Sequence, residues 1–568
     1  MRALVGPLAI QIESCGNRHS DAVQHIDGAH WDGKTTMWRF PATPHAAKKL
    51  LESSYLTFDD ESRWALQAIL DPPAGADYKA HEHLPPDFRL KLWTHQAAAV
   101  DFAWWRPATM LAMEMRTGKT AVSIALASLW GSKRILVSCP LSVVRIWPAE
   151  ARSYSAQPWV TAALDSGSVV RKTERVKDAV AAATRLKRPL LVVVNHESVW
   201  RNPFADFILD QEWDLLIVDE SQRAKAPGGK LSRFLGHLAD HIPRRLALSG
   251  TPLPHDILDA YGQYRFLDRS IFGTSYNRMK NRFAITSNYN KHHIVGFRNT
   301  DLFSSKFHEI AFEATTAESF DLPPEMDVVR IAAFEKPAQK IYDSLLSNFW
   351  AEVESGQVTA SNALSKLLRL QQVTSGHVKK DDGEMALVSS AKANLLRDFL
   401  EDVPIKEPLV VFVRFVLDIE RVREICESQG RTVGEVSGRK KELTDEGRFP
   451  EDVDVMVVQI QSGSLGINLS RASTAIFYSW GWSLGDILQA RARIRHAEQT
   501  RSLQFVHLVI ADSIDERMRA CLQDRKDFIE DILETGREAK YGSEHQSSEK
   551  IRSEAEQEGR VGAAAQGS

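Results

Sequence analysis

Met113-Glu-Met-Arg-Thr-Gly-Lys-Thr-Ala121 is the stretch on which the reading of this chain turns. It continues a short apolar run, Met110-Leu-Ala-Met113, that reads as a strand. It leads into Ala121-Val-Ser-Ile-Ala-Leu-Ala-Ser-Leu-Trp130, which has helical spacing and stops at Gly131. A strand, a tight turn and a helix N-terminus aim several backbone N–H groups at one point, which suits a phosphate chain. Arg116, Thr117 and Gly118 would form the turn, Lys119 would reach the terminal phosphates, and the Thr120 hydroxyl would hold Mg²⁺. The complete phosphate-loop pattern has Gly where Met113 stands, so on spelling alone the triplet also fits an ordinary turn. The downstream pieces decide between the two.

Working outward, buried-strand candidates Arg134–Pro140, Leu190–Asn195, Asp214–Ser221 and Arg244–Pro252 alternate with helical periodicity. Such alternation predicts a parallel sheet covered on both faces, with ligands off the carboxyl ends of its strands. A second block repeats the pattern, with strands near Leu409–Phe415, Arg431–Ser437, Val453–Gln461, Thr474–Trp480 and Gln504–Ile510. The expected organisation is a small α+β domain at 1–74, a linker at 75–89 and a first lobe at 90–268. A helical insertion or bridge follows at 269–392, then a second lobe at 393–533 and a disordered tail at 534–568. In the N-terminal unit, Gly28 to Phe40 reads as two strands around an Asp-Gly turn. It is either a cap packed on the motor or a nucleic-acid contact using Trp31, Trp38, Arg39, Lys48 and Lys49.

The 568 residues exceed one core, and 43% hydrophobic with 26% charged residues is the balance of a water-soluble globular chain. Neither a bilayer-spanning apolar run nor the layout of a secretion signal is present, so no membrane partner and a cytoplasmic location are expected. Cys15, Cys139, Cys426 and Cys521 lie far apart with no Cys-x-x-Cys pair, which predicts free thiols and no structural zinc. A net charge of −3 is neutral on nucleic acid, because it can hide a basic track.

The chemically suggestive residues fall at strand ends. Leu215-Leu-Ile-Val-Asp-Glu-Ser-Gln222 is an apolar strand ending in paired acids. Asp219 would hold Mg²⁺ and Glu220 would polarise the attacking water; a plain helix cap at Asp219 is the alternative. Ser249-Gly-Thr-Pro252 offers two hydroxyls that can sense the terminal phosphate, and Gln96 in Leu92-Trp-Thr-His-Gln96 offers an amide to an adenine edge. Gln459 to Leu469 is a strand running into a Gly/Ser loop suited to backbone or phosphate contacts. Gln489-Ala-Arg-Ala-Arg-Ile-Arg-His496 places arginines on a helix, where they form either a solvated face or a transition-state finger.

In this order the pieces resemble the Swi/Snf-type branch of superfamily-two helicase-like ATPases, over roughly Pro86 to Lys526. The resemblance implies two RecA-like parallel-sheet lobes around ATP and Mg²⁺, with double-stranded DNA as the track and a monomeric motor as the working form. Gln96 becomes the adenine reader, Met113 to Thr120 the nucleotide loop with Arg116 to Thr120 on the nucleotide, and Asp219, Glu220 and Gln222 with Lys225 the acid box. Ser249 and Thr251 become the coupling motif. Pro140, Ser142 and Asn195 become nucleic-acid contacts, with Trp147 and Glu150 beside the first of them. Asp321-Leu-Pro-Pro324 and Leu368-Arg-Leu-Gln-Gln372 resemble landmarks of the branch. Ser462, Gly463 and Gly466 match its penultimate motif, with Gly466 toward the nucleotide, and Gln489 to Gln499 its last, where Arg493 is the finger. The sequence departs from the pattern in three places. Arg116 replaces a Gly, Gln222 replaces a His, and His496 occupies the second arginine position, where Arg495 could stand in by a one-residue shift. The expectation is a motor whose lobes close on ATP, with Lys119 and Asp219 on one wall and Arg493 on the other. An RNA-dependent ATPase and an ATP-gated clamp with little hydrolysis are the alternatives; no nuclease signature marks a restriction-type motor.

Overall fold

The computed structural model describes residues 2–5, 9–13, 23–26, 28–33, 35–70, 79–287, 293–319, 324–354, 360–379, 384–460, 467–495, 501–530 and 533. The chain divides into two compact units, Met1–Thr315 with Asp527–Ser568, and Thr316–Lys526. Among the described residues no helix is long and apolar enough to cross a membrane.

The first unit opens with an antiparallel sheet of β1 (Ala3–Val5), β2 (Ala9–Glu13), β3 (His30–Asp32) and β4 (Met37–Pro41), ordered β1-β2-β4-β3. Ile10, Ile12 and Phe40 share one face by strand alternation. They bury with Ala46, Leu50 and Leu66 of helices Pro44–Glu52 and Asp60–Leu70. Thr43 caps the first of these helices by accepting from Ala46 N at 3.3 Å, and Pro44 sits at its first turn, where no N–H is needed. The module packs on its own unit: Gly28, at φ +94°, lies so close to Ser270 that a Cβ would stand 2.6 Å from the serine's. His45 meets Glu309 nearby.

Of the expected linker 75–89, residues 79–89 are folded onto the first lobe. Ala80–His83 forms a 3₁₀ turn, His81 N donates to Asp101 Oδ1 at 2.9 Å, and Arg89 N donates to Tyr154 O at 2.7 Å.

The main sheet of this unit contains β5 (Ala108–Met113), β6 (Arg134–Cys139), β7 (Val160–Leu164), β8 (Leu190–Asn195), β9 (Leu215–Asp219) and β10 (Arg244–Leu248). A short hairpin of β11 (Ala284–Thr286) and β12 (Ile294–Phe297) follows, and β13 (Ala311–Ala314) completes the sheet. The order is β13-β5-β10-β9-β6-β8-β7, and every pairing is parallel. Strands β5 and β8 are buried along their whole length, which is why they read as unbroken apolar runs.

The second unit holds a six-stranded, all-parallel sheet. Its strands are β14 (Glu325–Ala332), β17 (Leu409–Val413), β18 (Val433–Val436), β19 (Val455–Gln459), β20 (Thr474–Phe477) and β21 (Leu503–Ile510). Helices Lys336–Glu354 and Ala360–Thr374 and the hairpin β15 (His377–Lys379) with β16 (Met385–Leu387) come between β14 and β17.

The fold is therefore α/β with two parallel-sheet lobes, a helical segment and a small α+β module. The bridge expected over 269–392 does not stand as one piece. Its first part ends in β13, which pairs with β5 in the first sheet, and β14 opens the second sheet beside β21. The tail expected to be disordered at 534–568 lies outside the described residues.

Candidate functional site

Parallel strands deliver their carboxyl ends to one edge. Along that edge of the first sheet the ends run in the order β5, β10, β9, β6, β8. Hence the turn after Met113, Ser249, Asp219, Pro140 and Asn195 are neighbours in this sequence across the edge. Two strand spacings, about 10 Å, separate the nucleotide loop from the acid strand, with the Ser249 strand between them. That interval suits a phosphate chain.

The loop is held from behind. Gln96, buried on helix Thr94–Ala103, accepts from Trp93 N at 3.0 Å and donates to Thr117 O at 3.1 Å, and His95 Nε2 lies 2.8 Å from the same carbonyl. Thr117, wholly buried, donates its hydroxyl to Glu114 O at 2.7 Å. Gly118 takes φ +86° and caps helix Lys119–Leu129; a Cβ there would stand 2.1 Å from Gln96 Nε2. Arg116 has φ +68°, the left-handed region that costs a residue bearing a Cβ about 1–2 kcal/mol. A glycine would meet that conformational demand without strain. Lys119 Nζ donates to Met113 O and Glu114 O, both at 2.9 Å, so in this state it closes the loop on itself.

Asp219 ends β9. Its carboxylate accepts from Trp147 Nε1 at 3.1 Å and from Glu220 N at 3.0 Å. Burial and the adjoining charge of Glu220 push its carboxyl up to about 7, with Lys119 pulling the other way. Glu220 is at φ +49° and accepts from Gln222 Nε2 at 2.6 Å. Gln222 Oε1 in turn accepts from Ser249 Oγ at 2.8 Å, and the same Oγ accepts from Thr251 N at 3.1 Å. The Thr251 hydroxyl is buried and makes no hydrogen bond among the described residues. An amide at 222 can donate to a carboxylate and accept from a hydroxyl at once, whatever the pH. The acid box and the Ser-Gly-Thr-Pro turn are thereby one hydrogen-bonded unit.

Several residues of this unit were not singled out for it by sequence. Trp147 and Glu150, expected beside a strand contact, belong to the acid side. Trp147 is buried on Asp219. Glu150 is raised by its own burial and lowered by a bond from the Thr120 hydroxyl. His196 bridges Ser138 Oγ (2.8 Å) and Asp219 O (2.9 Å), and burial pushes its pKa down to about 4, so it serves as a neutral brace. Gln263 accepts from Ser221 Oγ at 2.7 Å and donates to Pro252 O at 2.6 Å. No local signal in the sequence marks Gln263, because its partners are far away along the chain.

The nucleic-acid candidates fare unevenly. Pro140 caps the 3₁₀ turn Leu141–Val143, which carries Ser142 on the same edge. Asn195 does not offer its side chain: it is buried, accepting from Lys172 Nζ at 2.6 Å and donating to Glu197 Oε2 at 2.8 Å. Any contact there falls to neighbouring groups. Ser462, Gly463 and Gly466, along with His496, lie outside the described residues.

Against known families, residues 95–377 match the SNF2-related domain and residues 391–498 the helicase conserved C-terminal domain. The chain belongs to the SNF2-related helicase-like ATPases. It is 23% identical over 484 residues to the CHD3-type chromatin-remodeling factor PICKLE of Arabidopsis thaliana, covering 78% of this chain and 34% of that protein. It thus spans only about a third of that relative's length. It is 25% identical over 448 residues to putative protein p41 of Acyrthosiphon pisum secondary endosymbiont phage 1, covering 74% of this chain and 92% of p41. Among solved structures, the Sulfolobus solfataricus SWI2/SNF2 ATPase core in complex with dsDNA matches at a TM-score of 0.37 and 21% identity, over 80% of this chain and 95% of that one.

In the helicase C-terminal domain of this SNF2-related chain, Arg493 ends helix Leu484–Ala492, with its carbonyl accepting from Leu469 N at 3.0 Å. Gln489 is half-buried on that helix. Arg495, the candidate second finger, is engaged within its own unit: Nε and Nη2 donate to Glu325 on β14, at 2.5 and 2.8 Å. Arg491 joins the same clamp, reaching Asp327 at 2.6 Å and Glu325 at 3.0 Å while lying over the Phe505 ring. The clamp fixes the helix that carries Arg493 to the edge strand.

A divalent cation fits the donors present. Thr120 and Asp219 are hard oxygen ligands, and the half-buried Asp219–Glu220 pair is a concentration of negative charge that a cation would relieve. Among the described residues no group of three or more His, Cys, Asp or Glu forms a metal cage. Mg²⁺ asks for none, since it uses one or two carboxylates with phosphate and water. The raised Asp219 carboxyl has a measurable consequence. A proton on Asp219 competes with the metal, so Mg²⁺-dependent nucleotide binding should weaken as pH falls from 8 to 6. Calorimetric titrations at pH 6 and pH 8 check this; equal affinities would contradict it.

Proposed function

We propose that this chain hydrolyses ATP at the first sheet's carboxyl edge and uses the cycle to translocate along double-stranded DNA. The observation that carries the reading is the continuous relay Glu220–Gln222–Ser249–Thr251, which ties the residue that polarises water to a turn at the adjacent strand end. A change in the phosphate chain beside Glu220 is felt at Ser249 through two hydrogen bonds, with no loop crossing between them. In this reading Lys119 leaves its two carbonyls for the terminal phosphates, and Gln96 and His95 keep the loop in register. Mg²⁺, held by Thr120 and Asp219, would neutralise the phosphate oxygens. Glu220 orients the attacking water and accepts its proton. Arg493 stabilises charge in the transition state, a contribution worth about 10³–10⁵ in rate for such a finger.

The reading is tested by ATP turnover against a panel of polynucleotides. Duplex DNA should stimulate most, and the stimulation should fade with salt at a slope of about −0.9 per phosphate neutralised. Strongest stimulation by RNA would favour an RNA-dependent ATPase instead. One observation supports a second reading, an ATP-gated clamp with little hydrolysis: Arg495 is held by Glu325, which leaves Arg493 without a second arginine from its own stretch among the described residues. Nucleotide binding without stimulated turnover would decide for the clamp.

A further inference from the structure

A cavity of about 330 Å³ lies in the first unit between the N-terminal module and the first lobe. Its walls carry three arginines, Arg233, Arg265 and Arg269, together with His30, His237 and the Tyr261 ring, against the single carboxylate of Asp240. Helix Lys230–Leu238 starts beyond the acid box and leads back toward β10, and helix Ala260–Leu267 likewise starts beyond the Ser-Gly-Thr-Pro turn. Both helices run from the carboxyl edge of the sheet to its amino edge. The wall residues near their ends, Gly236, Asp240 and Arg269, are therefore at the opposite edge from Lys119 and Asp219.

Two of the three guanidiniums, those of Arg265 and Arg269, are held in place beforehand. Arg265 donates to Pro227 O at 2.8 Å, to Ser232 Oγ at 3.4 Å and to the Tyr261 hydroxyl at 3.4 Å. Gly236 makes room for it, since a Cβ there would stand 2.8 Å from the arginine's stem. Arg269 uses Nη2 for Gly236 O, at 2.9 Å, and for Asp240, while its Nε and Nη1 make no bond among the described residues. The Arg233 guanidinium, exposed on its helix, has neither an ion pair nor a hydrogen bond among the described residues. Planar donors already immobilised lose little freedom on binding, and their fork matches the oxygens of a phosphate. A cavity with one carboxylate against three arginines repels cations and leaves a positive excess for an anion to neutralise.

We infer that this cavity, walled jointly by His30 of the N-terminal module and the arginines of the first lobe, binds a phosphate monoester or pyrophosphate group. A pocket admits a terminal phosphate, whereas an internal phosphodiester of a duplex is held away by its two flanking sugars. The source is either a small soluble phosphate or the phosphorylated end of a nucleic-acid strand, and the group recognised is the same. The site stands apart from the proposed ATP chemistry.

The test uses the full chain with Lys119→Ala, to suppress binding at the nucleotide loop, and pyrophosphate as the probe in titration calorimetry. Adding Arg233→Glu should weaken binding by about tenfold or more, the worth of one charge-assisted hydrogen bond, and His30→Ala should weaken it in the same direction. A second arm compares a duplex bearing a 5′-phosphate with the same duplex lacking it. A preference for the phosphorylated end that Arg233→Glu removes identifies the nucleic-acid end as the source; pyrophosphate binding without that preference identifies a small phosphate. Either result supports the site. Thermal melting confirms folding, and Arg233→Gln replaces Arg233→Glu if the latter fails to fold. ATP turnover of Arg233→Glu with Lys119 intact should equal that of the unmodified chain, so failure here is separable from failure of the ATPase reading. If neither probe responds to Arg233→Glu, Arg233→Gln or His30→Ala, the inference is overturned.

Discussion

Glu220→Gln should lower ATP turnover by about 10²–10⁴-fold, the range expected when a general base is removed, while nucleotide binding survives. The glutamine keeps an oxygen where Gln222 Nε2 now donates at 2.6 Å, so the relay to Ser249 is preserved and the loss is chemical, not structural. Lys119→Ala should cost about 10²–10³-fold through lost charge stabilisation, and should weaken ATP binding as well. Of its two acceptors, Met113 O belongs to the buried end of β5, but Glu114 O lies at a half-buried loop residue and can turn to water, so the fold should persist. The two variants therefore separate by binding. Glu220→Gln traps bound ATP, and Lys119→Ala does not hold it. Normal turnover in either variant would remove the assigned chemistry.

Lys392→Ala should destabilise the second unit by about 3–5 kcal/mol, the loss typical when one partner of a buried ion pair is removed. Lys392 Nζ is 2.7 Å from Asp515 Oδ2, with side chains 1% and 2% exposed. Asp515 also accepts from Thr374 Oγ1 at 2.9 Å, and Lys392 lies 5.4 Å over the Trp480 ring. Removing the lysine leaves a buried carboxylate with only the Thr374 hydroxyl and the Ile510 N–H, at 3.3 Å, to satisfy it. The pair itself need not be worth much, because two buried charges recover little beyond their desolvation. The double variant Lys392→Met with Asp515→Leu should accordingly be more stable than Lys392→Ala. Denaturant unfolding followed by a probe in the second unit measures both. A shift below about 1 kcal/mol for Lys392→Ala would show that the pair is not enclosed as described.

Much of this was legible in the chain. Strands β6, β8, β9 and β10 begin and end within a few residues of the apolar runs Arg134–Pro140, Leu190–Asn195, Asp214–Ser221 and Arg244–Pro252, because strands buried on both faces admit little but Val, Ile and Leu. The same holds for β17, β19 and β20. Edge strands hid. β14 reads Glu-Met-Asp-Val-Val-Arg-Ile-Ala, and its acids are explained by Arg491, Arg495 and His507, distant in sequence and adjacent in space. β7 and β13, at the two edges of the first sheet, are short and Ala-rich, with no alternation to mark them.

The site was legible where its chemistry is local. Lys119, Asp219 and Glu220 announce themselves by turn and strand-end position, and the left-handed φ at 116 accounts for the Gly that the family pattern has there. What stayed hidden was every role assigned by a distant partner. Trp147 serves Asp219, His196 and Gln263 brace the acid strand, and Asn195 is occupied by a buried lysine. Residue type and spacing carry no record of such pairings.

In the proposed function, hydrolysis at Lys119, Asp219 and Glu220 moves the protein along duplex DNA. The most direct measurement is displacement of a short third strand annealed as a triplex within a long duplex. The account predicts displacement that requires ATP and Mg²⁺ and is lost in Glu220→Gln. A protein that hydrolyses ATP in the presence of that duplex yet leaves the third strand in place would contradict it.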